Sequence, residues 1–355
     1  MGVRLPPLPH MKFQLLPKLK KGDQVAILSP SFAAPGKWPH VYELGCQRLK
    51  DIFGLQPVEF PTTKTIGASG EERAKDLIAA FETKGIKAII ASLGGNDQVT
   101  YIKNLPKKPF INNPKPFFGY SDNTHFINHL WLCGLPSFYG GSLFTEFAMQ
   151  NKMDDFTVKY LNYAFFETGP KELDSSPVFN DIDLDWNDPK TLTQSRRYQT
   201  NHGWFWDGQT DSQGITWGGC VESVDELLRH NISIPTLAQF KNIILFLETS
   251  EEIPSHEYFR RVLRALGERS ILKNIQGLLV GRPKAWEFNQ QNTDQEKEIY
   301  KTGQRDMVTE IVRKYNQTIP IVQNLDFGHT SHQIPLPVGK NININPSKKT
   351  ISVEF

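Results

Sequence analysis

Apolar positions along the chain fall into two recurring patterns. Short runs rich in branched or aromatic residues, at Gln24-Val25-Ala26-Ile27-Leu28, Ala88-Ile89-Ile90-Ala91-Ser92-Leu93, Phe117-Phe118 and Leu135 to Tyr139, predict strands buried on both faces. Between them lie helical patterns. One, Cys46 to Phe53, is stopped by Gly54. Another follows the capping-box sequence Ser69-Gly70-Glu71-Glu72, with Ala74, Leu77, Ile78 and Phe81 at i, i+3, i+4 and i+7. Two more are read at Gln98 to Lys103 and Thr124 to Cys133. Strands alternating with helices predict an α/β fold with a parallel sheet covered on both faces, and such sheets bind ligands at the carboxyl ends of their strands. Those ends carry small and polar residues here: Ser29-Pro30-Ser31, Gly94-Gly95-Asn96-Asp97 and Ser121-Asp122-Asn123.

From about Glu167 to Gly214 the periodicity fades into Asp, Asn, Ser and Thr, with Trp186, Trp204 and Trp206 set among them. Tryptophan is costly to leave exposed without a partner. The segment therefore reads as a loop over the cleft or as a packed connection, and the cleft is favoured because long unpatterned loops are often functional. Patterning resumes near Ile215. Asn242 to Leu247 is the most apolar strand, ended by Glu248, and Ser255 caps a helix burying Phe259, Val262, Leu263 and Leu266. A strand at Gly277 to Gly281, a helix at Gln304 to Tyr315 and Pro320-Ile321-Val322 lead to Asp326-Phe327-Gly328-His329, and the alternating tail predicts a hairpin. The expected organisation is a first domain over 1–166, a connecting region over 167–214 and a second domain over 215–355.

Composition acts mainly by exclusion. The 355 residues suit two domains, and 39% hydrophobic with 22% charged residues describe an ordinary globular protein. A formal charge of +2 without a basic block argues against a nucleic-acid polymer as partner. Cys46, Cys133 and Cys220 lie far apart without C-x-x-C spacing, so neither disulfides nor a zinc site are expected. Met1 to Lys21 lacks the apolar core of a signal peptide, and no run reaches membrane-spanning length. A cytoplasmic protein with no membrane partner, no metal and no cofactor is expected.

The chemistry centres on Phe117 to Thr124, where a strand meets a glycine, a serine and a helix start. The pattern resembles the nucleophile elbow G-x-S-x-G, with Asn123 where the second glycine would stand. A bare helix cap is the competing reading of Ser121. A serine hydroxyl becomes a good nucleophile when a base takes its proton, and a carboxylate on the far side of an imidazole base fixes its tautomer. Ser121, Glu248 and His329 occupy comparable element ends and supply those three types. His332 rivals His329. Glu251 and Glu252 rival Glu248, although carboxylates beyond a strand end are ordinarily solvated, and Glu248 could instead pair with Arg260 or Arg261.

Six ordered segments extend this picture: Leu28 to Ser31, Gly70 to Leu77, Ser92 to Asp97, Gly119 to Thr124, Leu245 to Ser250 and Gly328-His329. In that order they resemble the LD-carboxypeptidase family of serine peptidases, closest to its microcin C immunity branch. The likeness runs from about Lys18 to the C-terminus. It implies a Rossmann-like N-terminal domain, a smaller mixed α/β C-terminal domain, a site between them, and a homodimer. It also implies Ser121 as nucleophile, His329 as base, Glu248 as its orienting carboxylate, and an oxyanion hole from the amides of Gly95 and Asp122, the Asp122 side chain then being expected to cap the first helical turn. For substrate, the resemblance implies a small peptide-like or aminoacyl-nucleotide amide, with Asn96 and one of Trp186, Trp204 or Trp206 as contacts. The muropeptide-trimming members, which release terminal D-alanine, carry an R-G-G-Y-type motif, and Leu93 and Asn96 depart from it here. A non-catalytic, two-lobed small-molecule binding protein is the alternative of another class.

Overall fold

A computed structural model describes residues 12–355. Residues 1–11, which belong to the segment read for a signal peptide and to the first expected domain, lie outside the described residues. The strands of the N-terminal half are β1 (Gln24–Leu28), β2 (Gln56–Glu59), β3 (Ile86–Ala91), β4 (Phe117–Gly119) and β5 (Ser137–Tyr139). Then come the short β6 (Pro170–Glu172), β7 (Val178–Phe179), β8 (Gln199–Thr200) and β9 (Phe205–Asp207). The rest are β10 (Ser212–Cys220), β11 (Ile243–Glu248), β12 (Gly277–Gly281), β13 (Ile321–Leu325), β14 (Leu336–Val338), β15 (Asn341–Asn345) and β16 (Thr350–Glu354).

The first sheet has the order β14-β5-β4-β3-β1-β2. Its strands β1 to β5 run parallel, and β14 closes the β5 edge antiparallel. Val25 to Leu28 and Ala88 to Ala91 are all buried, as unbroken apolar runs covered on both faces should be. The capping box forms: the Ser69 hydroxyl accepts from the Glu72 N–H while the Glu72 carboxylate accepts from the Ser69 N–H at 2.8 Å, starting the helix Gly70–Glu82. That helix buries Leu77 and Phe81.

The second sheet is mixed, in the order β6-β16-β15-β10-β11-β12-β13-β9. Its parallel centre, β10 to β13, is flanked by antiparallel strands on both sides. Every residue of β11 is buried. The Ser255 hydroxyl accepts from the Tyr258 N–H, and the helix His256–Glu268 buries Phe259, Val262, Leu263 and Leu266 as its periodicity requires. The expected hairpin tail is the β15–β16 pair. Two helices begin earlier than the apolar pattern suggests. The helix Pro39–Phe53 starts on a proline in its first turn. The helix Asp294–Tyr315 starts from a Thr293/Glu296 capping box through turns whose residues are mostly polar, so hydrophobic spacing did not mark them.

The helix Thr124–Leu132 joins the two sheets. Every residue from Thr124 to Trp131 is buried, and three of its side chains hydrogen-bond to β10 of the second sheet. Thr124 Oγ1 accepts from the Cys220 N–H at 3.0 Å, Asn128 Nδ2 donates to Gly218 O at 3.0 Å, and Trp131 Nε1 donates to Thr216 O at 3.1 Å. A Cβ on Gly219 would fall 2.4 Å from the Thr124 side chain, so β10 reaches this helix only because glycine stands there. Among the described residues no helix is long and apolar enough to cross a membrane.

Candidate active site

Ser121 follows β4 with φ +61°, in the left-handed region, and a single 3-10 turn, Ser121–Asn123, leads into the helix Thr124–Leu132. For a non-glycine residue that conformation costs roughly 1–2 kcal/mol, so its neighbours must hold it. Asn123 does part of this. Its Nδ2 donates to Tyr120 O at 3.0 Å and Leu93 O at 3.2 Å, while its Oδ1 accepts from Gln98 Nε2 at 2.8 Å. A glycine at 123 could not tie the elbow to the neighbouring loop in this way.

Asp122 corrects an expectation. Its carboxylate does not cap its own first turn. Oδ2 accepts from the backbone N–H of Asp97 at 2.9 Å, the N–H of Gln98 at 3.0 Å and the Ser31 hydroxyl, and Oδ1 lies 3.0 Å from His125 Nδ1. The side chain thus fixes the β3–β4 loop against the elbow. That loop is close: a Cβ on Gly94 would lie 2.8 Å from Ser121 Cβ and 3.5 Å from the Asp122 nitrogen. Among the described residues, neither the Gly95 nor the Asp122 amide donates a hydrogen bond within the protein.

His329 and Glu248 meet at the carboxyl edge of the second sheet. His329 Nδ1 is 2.7 Å from Glu248 Oε2, and the Glu248 side chain is fully buried. Gly328 has φ +101°, and a Cβ there would sit 2.5 Å from Glu248 Oε2, so the glycine before the histidine allows the carboxylate to approach. The other Glu248 oxygen accepts from the Tyr139 hydroxyl at 2.5 Å, and the same hydroxyl accepts from the Ser121 N–H at 3.2 Å. Tyr139, at the end of β5, therefore links the elbow of one sheet to the carboxylate of the other. The pattern gave only an indirect sign of it, the end of a predicted strand before Gly140-Gly141.

The Ser121 hydroxyl makes no hydrogen bond to His329 in this structure. His329 Nε2 instead lies 3.0 Å from Glu251 Oε2. Burial opposes charge on the imidazole, but Glu248 and Glu251 together outweigh it and raise the His329 pKa well above the ordinary value. Partial burial pushes the Glu251 carboxyl up, and His329 overrides this and pulls it down to about 2. His332 faces elsewhere: its Nδ1 meets the Ser176 hydroxyl at 2.7 Å and its Nε2 lies 3.3 Å from Asp154.

Ser121 and His329 open on one cavity of about 1030 Å³. Gly94, Gly95 and Asn96 line it beside Ser121, and residues of the unpatterned segment, Asp183 to Asn187 and Arg196 among them, line another side. Trp186 is on that wall, its ring 5.2 Å from Trp38 and 5.4 Å from Phe144. Trp204 and Trp206 are not on it. The Trp204 indole donates to Asp326 at 3.0 Å, and Trp206 pairs with Val322 along β9, so the segment is cleft wall in one part and packed connection in the other. Also lining the cavity is Glu146, whose buried carboxyl is pushed up to about 8 by loss of solvent. Cys220, Glu248 and His329 stand close enough to share an ion, but the Cys220 thiol donates to Glu222 at 3.0 Å and burial pushes its pKa well up.

A parallel α/β sheet thus presents a serine at its carboxyl edge, on a cavity it shares with a histidine–glutamate pair of a second sheet. The chain belongs to the LD-carboxypeptidase family: the family's N-terminal domain matches residues 25–140 and its C-terminal domain residues 213–344. It is accordingly an enzyme, a peptidase of that type. A Treponema pallidum protein named "Putative carboxypeptidase" is 28% identical over 95% of this chain and 94% of its own. An MccF-like protein from Streptococcus pneumoniae, solved in complex with AMP, is 28% identical with a TM-score of 0.82, covering 93% of this chain and 98% of that one. The microcin C7 self-immunity protein MccF of Escherichia coli is 23% identical over 80% of this chain and 78% of its own. A structure of MccF with aspartyl sulfamoyl adenosine superimposes with a TM-score of 0.83 at 21% identity, covering 96% of this chain and 98% of that one, a likeness of fold.

Proposed function

We propose that the chain hydrolyses an amide bond in a small aminoacyl-nucleotide or peptide-like substrate through Ser121, His329 and Glu248. Ser121 attacks the carbonyl, His329 takes its proton and returns it to the leaving amine, and Glu248 holds the imidazole by Nδ1. Water then releases the acyl-enzyme. The amides of Gly95 and Asp122, unpaired beside Ser121, are the donors for the oxyanion. The observation that carries the reading is the left-handed Ser121 opening on the cavity shared with the His329–Glu248 pair.

The substrate class rests on the cavity's aromatic wall. Trp38 and Trp186, whose rings lie 5.2 Å apart and pack on the buried Phe144, are the aromatic surface available to a nucleobase. Leu93 and Asn96 around the glycine pair favour this class over a muropeptide ending in D-alanine. The same reading keeps the first domain at 1–166, the second at 215–355, and the protein a cytoplasmic homodimer, for which the three free cysteines suit a reducing compartment.

The experiment is hydrolysis of an aminoacyl sulfamoyl adenosine and, separately, of a tetrapeptide ending in D-alanine, by the wild type and Ser121→Ala. The nucleotide analogue is expected to be cleaved and the variant to lose at least about 10⁴-fold in kcat with its fold retained. Cleavage of the tetrapeptide alone would move the substrate to the muropeptide class. Undiminished turnover by Ser121→Ala would remove the mechanism.

A further inference from the structure

The imidazole of His329 is held at both nitrogens, by Glu248 at Nδ1 (2.7 Å) and by Glu251 at Nε2 (3.0 Å). Acceptors on both sides define an imidazolium, which cannot take a proton from Ser121. On the reading that Ser121, His329 and Glu248 are the catalytic set, this is a resting arrangement, and Glu251 must withdraw before the serine is activated.

The two carboxylates differ in freedom. Glu248 is wholly buried, fixed by the Tyr139 hydroxyl and by the close approach of Gly328. The Glu251 side chain is 53% exposed, on the loop after β11. The base of that loop is anchored, because the Ser250 hydroxyl donates to Glu222 at 2.6 Å, so Glu251 can swing without disturbing the core. The other charged groups around the imidazole are already engaged or distant in kind. Lys284 is paired with Asp183, and Arg196 donates to the Ser331 hydroxyl at 2.6 Å and to Gln150 at 3.1 Å. Glu146 accepts from the Ser142 N–H, and Tyr120 presents its ring to His329 at 5.0 Å. Among the described residues Glu252, next on the loop and also lining the cavity, makes no ion pair. Two loop carboxylates therefore face the cavity, where His329 is the ion-pair partner of Glu251 and Lys284 lends it weaker support.

We propose that Glu251 is a positioning residue that exchanges His329 for the free α-ammonium of an aminoacyl substrate. The distances select that group. Glu251 sits at the nitrogen that must reach Ser121, hence beside the scissile carbonyl, and an α-ammonium is one carbon from that carbonyl whereas a side-chain ammonium lies several bonds further. When the ammonium takes the carboxylate, the imidazolium loses one of its two counter-charges, keeps Glu248 at Nδ1 and releases its Nε2 proton to water. Neutral His329 is then free to accept the Ser121 proton. Substrates whose amine is acylated cannot make the exchange.

The test uses diphenyl 1-aminoethylphosphonate, which phosphonylates a nucleophilic serine with loss of phenol, and its N-acetyl derivative. Labelling rates are measured from pH 5 to 10 on wild type, Glu251→Gln and Ser121→Ala. The wild type should label with the free-amine probe at least about tenfold faster than with the acetylated one. Glu251→Gln should lose that preference and shift its acid limb to lower pH, because one carboxylate no longer holds the proton on His329. Ser121 labelled without amine preference, or a limb unmoved in Glu251→Gln, would overturn the exchange while leaving the catalytic set. No labelling above Ser121→Ala with either probe would remove the catalytic set itself.

Discussion

Ser121 occupies a backbone region that disfavours any residue with a Cβ, and the strain has a measurable consequence. Replacing it with glycine relieves roughly 1–2 kcal/mol of native strain and adds roughly 0.5–1 kcal/mol of unfolded-state entropy. Ser121→Gly should therefore be more stable than wild type by about 0.5–1 kcal/mol in urea denaturation, and should not be labelled by serine-directed phosphonates. A variant less stable than wild type by a similar amount would mean that the elbow is not strained. At this scale much of the site was legible. Ser121, Glu248 and His329 stand at the ends of apolar runs, where chemistry collects in parallel sheets. Glu251 was not legible, because an exposed carboxylate beyond a strand end has the sequence of a solvated one, and only the third dimension sets it against His329. Trp204 and Trp206 were indistinguishable from Trp186 for the same reason.

The helix Thr124–Leu132 carries a polar group that behaves as a stabilising cation. His125 is fully buried, with Nδ1 at 3.0 Å from Asp122 and Nε2 at 3.2 Å from Glu226. Burial lowers its pKa, but the two carboxylates outweigh burial and raise it from 6.5 to about 9. The folded value lies above the unfolded one, so the protonated form stabilises the fold. That contribution is complete below pH 6.5, declines as pH rises toward 9 and is gone above it. A shift of this size corresponds to at most about 3 kcal/mol. Denaturation free energies of the wild type should fall between pH 6.5 and 9 relative to those of His125→Gln. Parallel curves for the two proteins would show that His125 folds neutral. Helix existence was mostly readable from apolar spacing, and starts were readable where a cap stood out, as at Ser69 and Ser255, but not at Pro39 or Asp294. Where first turns are polar, as at Asp294, capping residues alone mark the beginning, and the Thr293/Glu296 pair was the mark.

On the scale of the whole molecule, the two sheets are joined too closely to unfold separately. Two-domain chains commonly do unfold in steps, because contacts across domain boundaries are sparse. Here the helix behind Ser121 is buried against β10, and three of its side chains hydrogen-bond to that strand. The chain also returns: β14, from the C-terminal half, supplies the edge of the first sheet beside β5. That crossing was hidden in the sequence, since Leu-Pro-Val is too short for a period and its proline argues against a central strand while allowing an edge. The same pairing sets Tyr139, which hydrogen-bonds to Ser121 and Glu248, so the geometry of the site depends on both sheets at once. Thermal unfolding should therefore be a single transition, coincident by far-UV circular dichroism and by tryptophan fluorescence. Trp131 and Trp217, buried on the helix and on β10, report the boundary itself. Loss of their fluorescence signal before the loss of secondary structure would separate the sheets and leave the site assembled from two independently folding halves.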